Sequence, residues 1–225
     1  MTAIRKAIES FAASIPEKKR VLDVGCGLKP YESYFSHCTY IGIDVAESGR
    51  EASNKTYDYA FDGVNIPFEN GSYDVVLCTE VLEHAINPSA LLKEMHRVLK
   101  LDGVLFLTVP FIWGLHEVPY DFRRYTIFGI KTELENAKFE VCMQEKLTSG
   151  IDAIEMLMAS EINNFMRHLI NKETADSFRF RLIMRLQQKL FHWGFFILRK
   201  NVIFERIYID NLVIAKKINM ETFIS

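Results

Sequence analysis

Cysteine is scarce, and its spacing is uninformative for cross-links: the four residues lie at positions 26, 38, 78 and 142 of 225, with no Cys-x-x-Cys pair. Neither a zinc site nor a disulfide framework is expected, no metal ion is expected, and reduced thiols suit a cytoplasmic setting. Long apolar runs are also missing. None reaches the ~18 residues that a spanning helix needs, and Met1 to Phe11 is too polar for the core of a signal peptide. Glycine and proline are sparse, at 11 and 6 residues, while 49% of the chain is hydrophobic and 25% is charged. This composition excludes wholesale disorder and collagen-like or repeat architectures. The length suits a single domain over residues 1–225, carrying an insertion and burying about 70% of its unfolded surface without covalent staples.

A large net charge is absent too, but the value of −2 hides an asymmetry. Residues 1–164 hold 16 Lys and Arg against 24 Asp and Glu, whereas residues 165–225 hold 11 against 5. An acidic body with a basic C-terminal third needs a physical explanation.

Periodicity supplies the elements. Residues 2–14 read as an amphipathic helix with Ile4, Ile8 and Phe11 on one face, ended by Pro16. Strands are expected at Val21–Val24, Tyr40–Asp44, Tyr57–Phe61, Tyr73–Cys78, Val104–Val109, Phe139–Lys146 and Ile207–Lys217. Helices are expected from Lys29-Pro30, over Pro88–Leu99 and over Thr126–Ala137, with a turn at Asp102-Gly103. Near-continuous apolar strands alternating with helices indicate an α/β fold, a parallel sheet covered on both faces. The roughly sixty residues between the last two strands are too many for a simple connection, and 151–200 reads as a helical insertion.

The first strand runs straight into Gly25-Cys26-Gly27. Such a turn lets a ligand approach the backbone, and ligands of open parallel sheets sit at the carboxyl ends of strands. Asp44 closes the next strand, 19 residues after Gly25, where a carboxylate can accept from both hydroxyls of a ribose. A dinucleotide is disfavoured, because G-x-G-x-x-G is broken by Pro30.

Together these segments resemble the class I S-adenosylmethionine-dependent methyltransferases. Val21-Leu22-Asp23-Val24-Gly25-Cys26-Gly27 resembles the first motif of that family and Ile41-Gly42-Ile43-Asp44 the second. Asp62-Gly63 with Ser72-Tyr73-Asp74-Val75-Val76 resembles the adenine cradle, and Glu80-Val81-Leu82-Glu83-His84 the region after the fourth strand. The resemblance implies a Rossmann-like, seven-stranded, mostly parallel sheet and S-adenosyl-L-methionine as cofactor. It implies that Gly25, Cys26 and Gly27 lie against the methionine part and that Asp23 holds its amino group. Asp44, followed by Val45, would bind the ribose. Asp62 and Gly63 would bind adenine, and Thr79 and Glu80 would line the methionine end. Lys29 stands where the family often has a third glycine. Simpler roles remain open: Asp62 capping a turn, Glu80, Glu83 and His84 capping or solvating a helix start, and Asp74 acting structurally.

The segment His116 to Thr126 follows the fifth strand, at the sheet edge where an acceptor must approach. Methyl transfer asks mainly for alignment, plus a base when the acceptor is a hydroxyl. His116 is the first candidate base and Asp121 the second. Arg123 and Arg124 could clamp an anionic group, with Trp113, Tyr120 and Tyr125 lining the acceptor. The alternative is that Asp121 and an arginine pair to fix the loop. The pattern His-x-x-Pro-x-Asp-x-x-Arg-Tyr-Thr resembles a bacterial subgroup associated with surface-glycan biosynthesis, and the first reading is methyl transfer, at oxygen, to a small or glycan-like acceptor.

In the insertion, Arg181, Arg185, Lys189 and His192 share one helical face, and Leu182, Leu186, Leu190 and Trp193 the other. Such a helix packs on a core, forms a homodimer, or lies at the inner face of the cell membrane against a lipid-linked acceptor. Nucleic acid is not expected as a partner, because aromatic and basic residues are segregated. An alternative to catalysis is a cofactor-binding scaffold that partners another enzyme.

Overall fold

The computed structural model describes residues 3–48, 56–169 and 206–218, together with 186, 189, 193 and 194. Helix α1 (Ala3–Ser14) buries Ile8, Phe11 and Ala12, as the helical spacing requires. Strands β1 (Arg20–Val24), β2 (Thr39–Val45), β3 (Tyr59–Phe61) and β4 (Tyr73–Thr79) follow, then α2 (Pro88–Val98) and β5 (Leu99–Pro110). Helix α3 (Ile127–Asn136), β6 (Phe139–Ser149), α4 (Ile151–Leu169) and β7 (Tyr208–Lys217) complete the order. Asn87 caps α2 by accepting from the Ala90 N–H, with Pro88 in the first turn, and Thr126 caps α3 by accepting from the Gly129 N–H.

One seven-stranded sheet has the order β3-β2-β1-β4-β5-β7-β6. The pairings from β3 through β5 are parallel, and β7 runs antiparallel to β5. The alternation of side chains feeds two cores. Leu22, Val24, Val76 and Cys78 join the α2 and α3 residues Leu92, Met95 and Ile130 on one face. Val21, Val75, Leu77 and Phe106 join Ile8 and Phe11 of α1 on the other. Each buried Leu or Ile contributes roughly 1.5–3 kcal/mol. The strand order turns back between β1 and β4, which opens a crevice at their carboxyl ends.

Two expectations need correction. No α-helix starts at Lys29-Pro30: Lys29 has φ +52°, and only a short 3-10 turn forms at Glu32–Phe35. The Lys29 Nζ instead reaches Asp58 Oδ2 at 2.6 Å. Asp102-Gly103 is not a turn before a strand but lies inside β5. Tyr73 pairs with Leu99 and Val75 with Val104, so the intervening residues are absorbed as an irregularity, with Asp102 at φ +61°.

Contacts divide the chain into one unit of Met1–Leu147 with Asp210–Ser225 and a second of Thr148–Ile209. Helix α4 belongs to the second. Most of the basic and apolar stripe expected at 181–198 lies outside the described residues; within it, Leu186 and Trp193 are exposed. Among the described residues, no helix is long and apolar enough to cross a membrane.

Candidate active site

The crevice is built by β1, β2 and β4. Beyond Val24 the chain turns at Gly25 (φ +73°), and both Gly25 N–H and Cys26 N–H donate to Ile43 O of β2, at 2.8 and 3.1 Å. A Cβ on Gly25 would stand 2.4 Å from Val81 Cγ2, so no side chain fits there. Asp44, 6% exposed, accepts from Gly27 N–H at 2.8 Å through Oδ2 and from Val45 N–H at 2.7 Å through Oδ1. The glycine turn therefore also fixes the carboxylate at the end of β2.

Two cavities meet at Gly25. One, of about 430 Å³, is bounded by Gly27, Pro30, Tyr31, Thr79 and Glu80 as well as Cys26. The other, of about 530 Å³, is bounded by Asp44, Val45, Asp62, Gly63, Val81 and His84 among others. Each falls in the ~300–1,000 Å³ range of small-molecule sites. The expected cofactor residues thus come together, with Asp23 just behind. Asp23 is buried; it accepts from the Tyr40 hydroxyl through Oδ2, and its Oδ1 has no hydrogen-bond partner among the described residues. Burial pushes its carboxyl up to about 7, with the Tyr40 hydrogen bond opposing. Glu80 (φ +54°) has an Oε1 without a hydrogen-bond partner among the described residues, and burial, then Asp210, pushes its carboxyl well above the usual range. The Cys26 thiol is pushed up to about 12 by burial, which makes it unreactive.

Asp62 is engaged locally. It accepts from the backbone of Val64 and Asn65 and from the Asn65 amide, which pull its carboxyl below the usual range. Asp74 joins Lys19, Lys100 and the Arg20 N–H, away from the crevice.

The loop after β5 closes the other side. His116 Nε2 stands 3.1 Å from His84 Nε2, with the rings edge to face. His84 Nδ1 lies 2.7 Å from Tyr120 O. Asp121 accepts the His116 backbone N–H at 2.9 Å and a two-pronged grip from Arg124 at 2.5 and 2.7 Å. That grip holds the Asp121 carboxyl down to about 2, so it is a poor proton acceptor, contrary to its candidacy as a base. Arg124 also donates to the carbonyls of Trp113, Gly114 and Arg123, and Arg123 to those of Ala85 and Ile86. The Arg124 guanidinium is taken up within the loop, whereas that of Arg123 ties the loop to the segment after β4. Tyr125 is 8% exposed and packs in the core rather than lining the site. Trp113 is half-buried, and Tyr120 borders the larger cavity.

The sequence gives no sign of one partnership. Glu83 is fully buried, neither of its carboxyl oxygens has a hydrogen-bond partner among the described residues, and Oε1 lies 3.6 Å from His84 Nε2 and 3.9 Å from His116 Nε2. Burial pushes its carboxyl up to about 8. Tyr31 and Val81 are likewise cavity residues that the sequence alone does not single out. It is the parallel pairing of β4 with β5 that brings the segments after both strands to one edge.

Comparison with known proteins gives three kinds of match. The model of the methyltransferase-domain family matches residues 2–144. A ubiquinone biosynthesis O-methyltransferase of Neisseria meningitidis serogroup A / serotype 4A is 33% identical over 103 residues, covering 40% of this chain and 43% of that protein. The chain thus spans less than half the length of the curated relatives it matches first. Among solved structures, phosphoethanolamine N-methyltransferase 2 of Haemonchus contortus, in complex with S-adenosyl-L-methionine, aligns with a TM-score of 0.60 at 14% identity, covering 96% of this chain and 52% of that one. The [4+2]-cyclase SpnF aligns with a TM-score of 0.59 at 18% identity, covering 94% and 81%. At such identities these two likenesses concern the fold alone.

Proposed function

The chain belongs to the class I S-adenosylmethionine-dependent methyltransferases, and on that premise we propose that it moves a methyl group from S-adenosyl-L-methionine to a hydroxyl of a small or glycan-like acceptor. The observation that carries this reading is the pair of cavities meeting at Gly25, with Asp44 on the rim of the larger. The residues fit the cofactor. Gly25 borders both cavities, with Val81 packed where a Cβ would stand, and the smaller cavity is also bordered by Glu80, whose Oε1 has no hydrogen-bond partner among the described residues and can receive a cationic amino group. Bound there, the cofactor supplies an electrophilic methyl carbon, which an acceptor oxygen takes as the carbon–sulfur bond breaks and the thioether leaves.

The protein's own part is to grip and align. Asp44, locked by Gly27 and Val45, accepts the ribose hydroxyls, and Asp62 and Gly63 flank the adenine. The loop held by Asp121 and Arg124 presents His116 beside His84, and that imidazole pair receives the acceptor's proton. Asp121 acts as a positioning residue through the His116 N–H. An oxygen acceptor agrees with the relative that acts in ubiquinone biosynthesis, and with the glycan-associated pattern of residues 116–126. His116→Ala should reduce turnover roughly 100-fold or more and leave the affinity for S-adenosylhomocysteine unchanged; equal turnover would remove it from the chemistry.

The second reading is a cofactor-binding scaffold without turnover. What favours it is that Arg124 holds the Asp121 carboxyl down to about 2, which withdraws one of the two expected bases. Slow conversion of the cofactor to its homocysteine form in the presence of cell extract would exclude it. Contact of the basic 181–199 stretch with an anionic membrane would show as vesicle flotation that weakens with salt.

A further inference from the structure

We infer that Glu83, His84 and His116 form a site for one divalent transition-metal ion. The argument begins with the imidazole protons. Tyr120 O can only accept, so His84 Nδ1, 2.7 Å away, carries the hydrogen. His116 Nδ1 faces Gly114 O and Asp121 Oδ2, both at 3.3 Å, and the second is an ionised carboxylate gripped by Arg124. That nitrogen also carries the hydrogen. In the neutral rings both Nε2 atoms then present lone pairs, and these face one another at 3.1 Å. Two lone pairs at that separation repel unless a positive charge lies between them.

Glu83 supplies the third donor. It is fully buried, neither oxygen has a hydrogen-bond partner among the described residues, and Oε1 is 3.6 and 3.9 Å from the two nitrogens. The three donor atoms lie within 4.8 Å of one another. An ion with bonds of ~2.0–2.2 Å to nitrogen and oxygen spaces adjacent donors by about 3–3.5 Å, so small adjustments would close the set around it. The outer contacts follow the pattern around metal-bound histidines, where the far nitrogen donates to a carbonyl or a carboxylate. Glu117 Oε1, 3.9 Å from His84 Nε2, stands beside the same atoms. Two imidazoles and a carboxylate suit Zn²⁺, Fe²⁺ or Mn²⁺ and leave coordination positions open.

His84 borders the larger cavity, so an open position there can take the acceptor's hydroxyl. An acceptor hydroxyl bound to the ion would give up its proton to water more readily, and the imidazole pair would take that proton only where the ion is absent. This role rests on the methyl-transfer reading; the binding of the ion does not.

The test uses the full chain, stripped with chelator and titrated with Zn²⁺ by calorimetry and with Co²⁺ by visible absorption. One ion per chain and cobalt bands of nitrogen and oxygen coordination are expected. His116→Asn, on a partly exposed loop, should weaken binding roughly 100-fold or more, and Glu83→Gln should do the same, while His37→Asn should change nothing. Absence of binding at about 100 μM ion, or binding untouched by both site variants, would overturn the inference and leave a proton shared between the histidines. Calorimetry with S-adenosylhomocysteine on the stripped protein separates the two readings. Cofactor uptake without ion binding defeats only the metal site, and ion binding without cofactor uptake defeats only the methyl-transfer reading.

Discussion

Replacing Gly25 with alanine tests the shape of the crevice through a single methyl group. At φ +73° an L-residue is disfavoured by about 1–2 kcal/mol. The new Cβ would also stand 2.4 Å from Cγ2 and 3.0 Å from Cγ1 of Val81, and overpacking of that kind costs roughly 1–3 kcal/mol. Together the two effects give about 2–5 kcal/mol, much of the 5–15 kcal/mol stability typical of a domain. Urea unfolding of Gly25→Ala should show that loss, read at a constant slope. Val81→Ala removes both clashing methyls and leaves only its own Cβ at 3.3 Å, so the double variant should be more stable than the sum of the single effects by about 1–3 kcal/mol. A strictly additive cycle would refute the contact, and a Gly25→Ala protein within about 0.5 kcal/mol of the parent would refute the reasoning altogether.

Two further outcomes concern pH. At Asp74, burial pushes the carboxyl up, but the Arg20 N–H, Lys100 and Lys19 outweigh it and hold it at about 2, against 3.8 when unperturbed. A depressed acid stabilises the fold above its unfolded value and loses that contribution as pH falls toward 2. At neutral pH it amounts to about 1–2 kcal/mol after screening at the half-exposed lysines. Asp74→Asn should therefore lose that much stability at pH 7 and none near pH 2, as urea unfolding at both values would reveal; an equal loss at both would contradict it. Asp23, raised to about 7, has the opposite sign: the fold binds its proton, so its contribution to stability declines as pH climbs from 3.8 to 7. If the amino group of the cofactor settles beside it, binding should release protons near pH 7, as heats measured in buffers of different ionisation enthalpy would register; no dependence on buffer would remove Asp23 from the contact.

The parallel core was readable because β4 and the second half of β5 are near-continuous apolar runs, as in a sheet covered on both faces. The onset of β5 was not readable. Lys100 to Gly103 has the residues of a turn, and only pairing of Leu99 with Tyr73 draws it into the sheet. The conformation of Lys29 was hidden for a similar reason: proline after it suits a helix start, while the ion pair with Asp58 depends on a distant loop. The glycines and Asp44 were legible since their spacing along β1 and β2 carries the geometry. Arg123 and Arg124 could not be assigned from sequence, because a guanidinium donates equally well to loop carbonyls and to a ligand. The Glu83, His84 and His116 cluster spans 32 residues between His84 and His116, and only the adjacency of β4 and β5 brings it together.

Calorimetric titration of the protein and of Asp44→Ala with S-adenosylhomocysteine tests the central claim most directly. The parent should bind in the micromolar range. Loss of two hydrogen bonds to a charged acceptor, at about 1.5 kcal/mol each, should weaken the variant by roughly 100-fold or more. No heat from the parent at millimolar nucleoside, or equal affinity in the two proteins, would contradict the account.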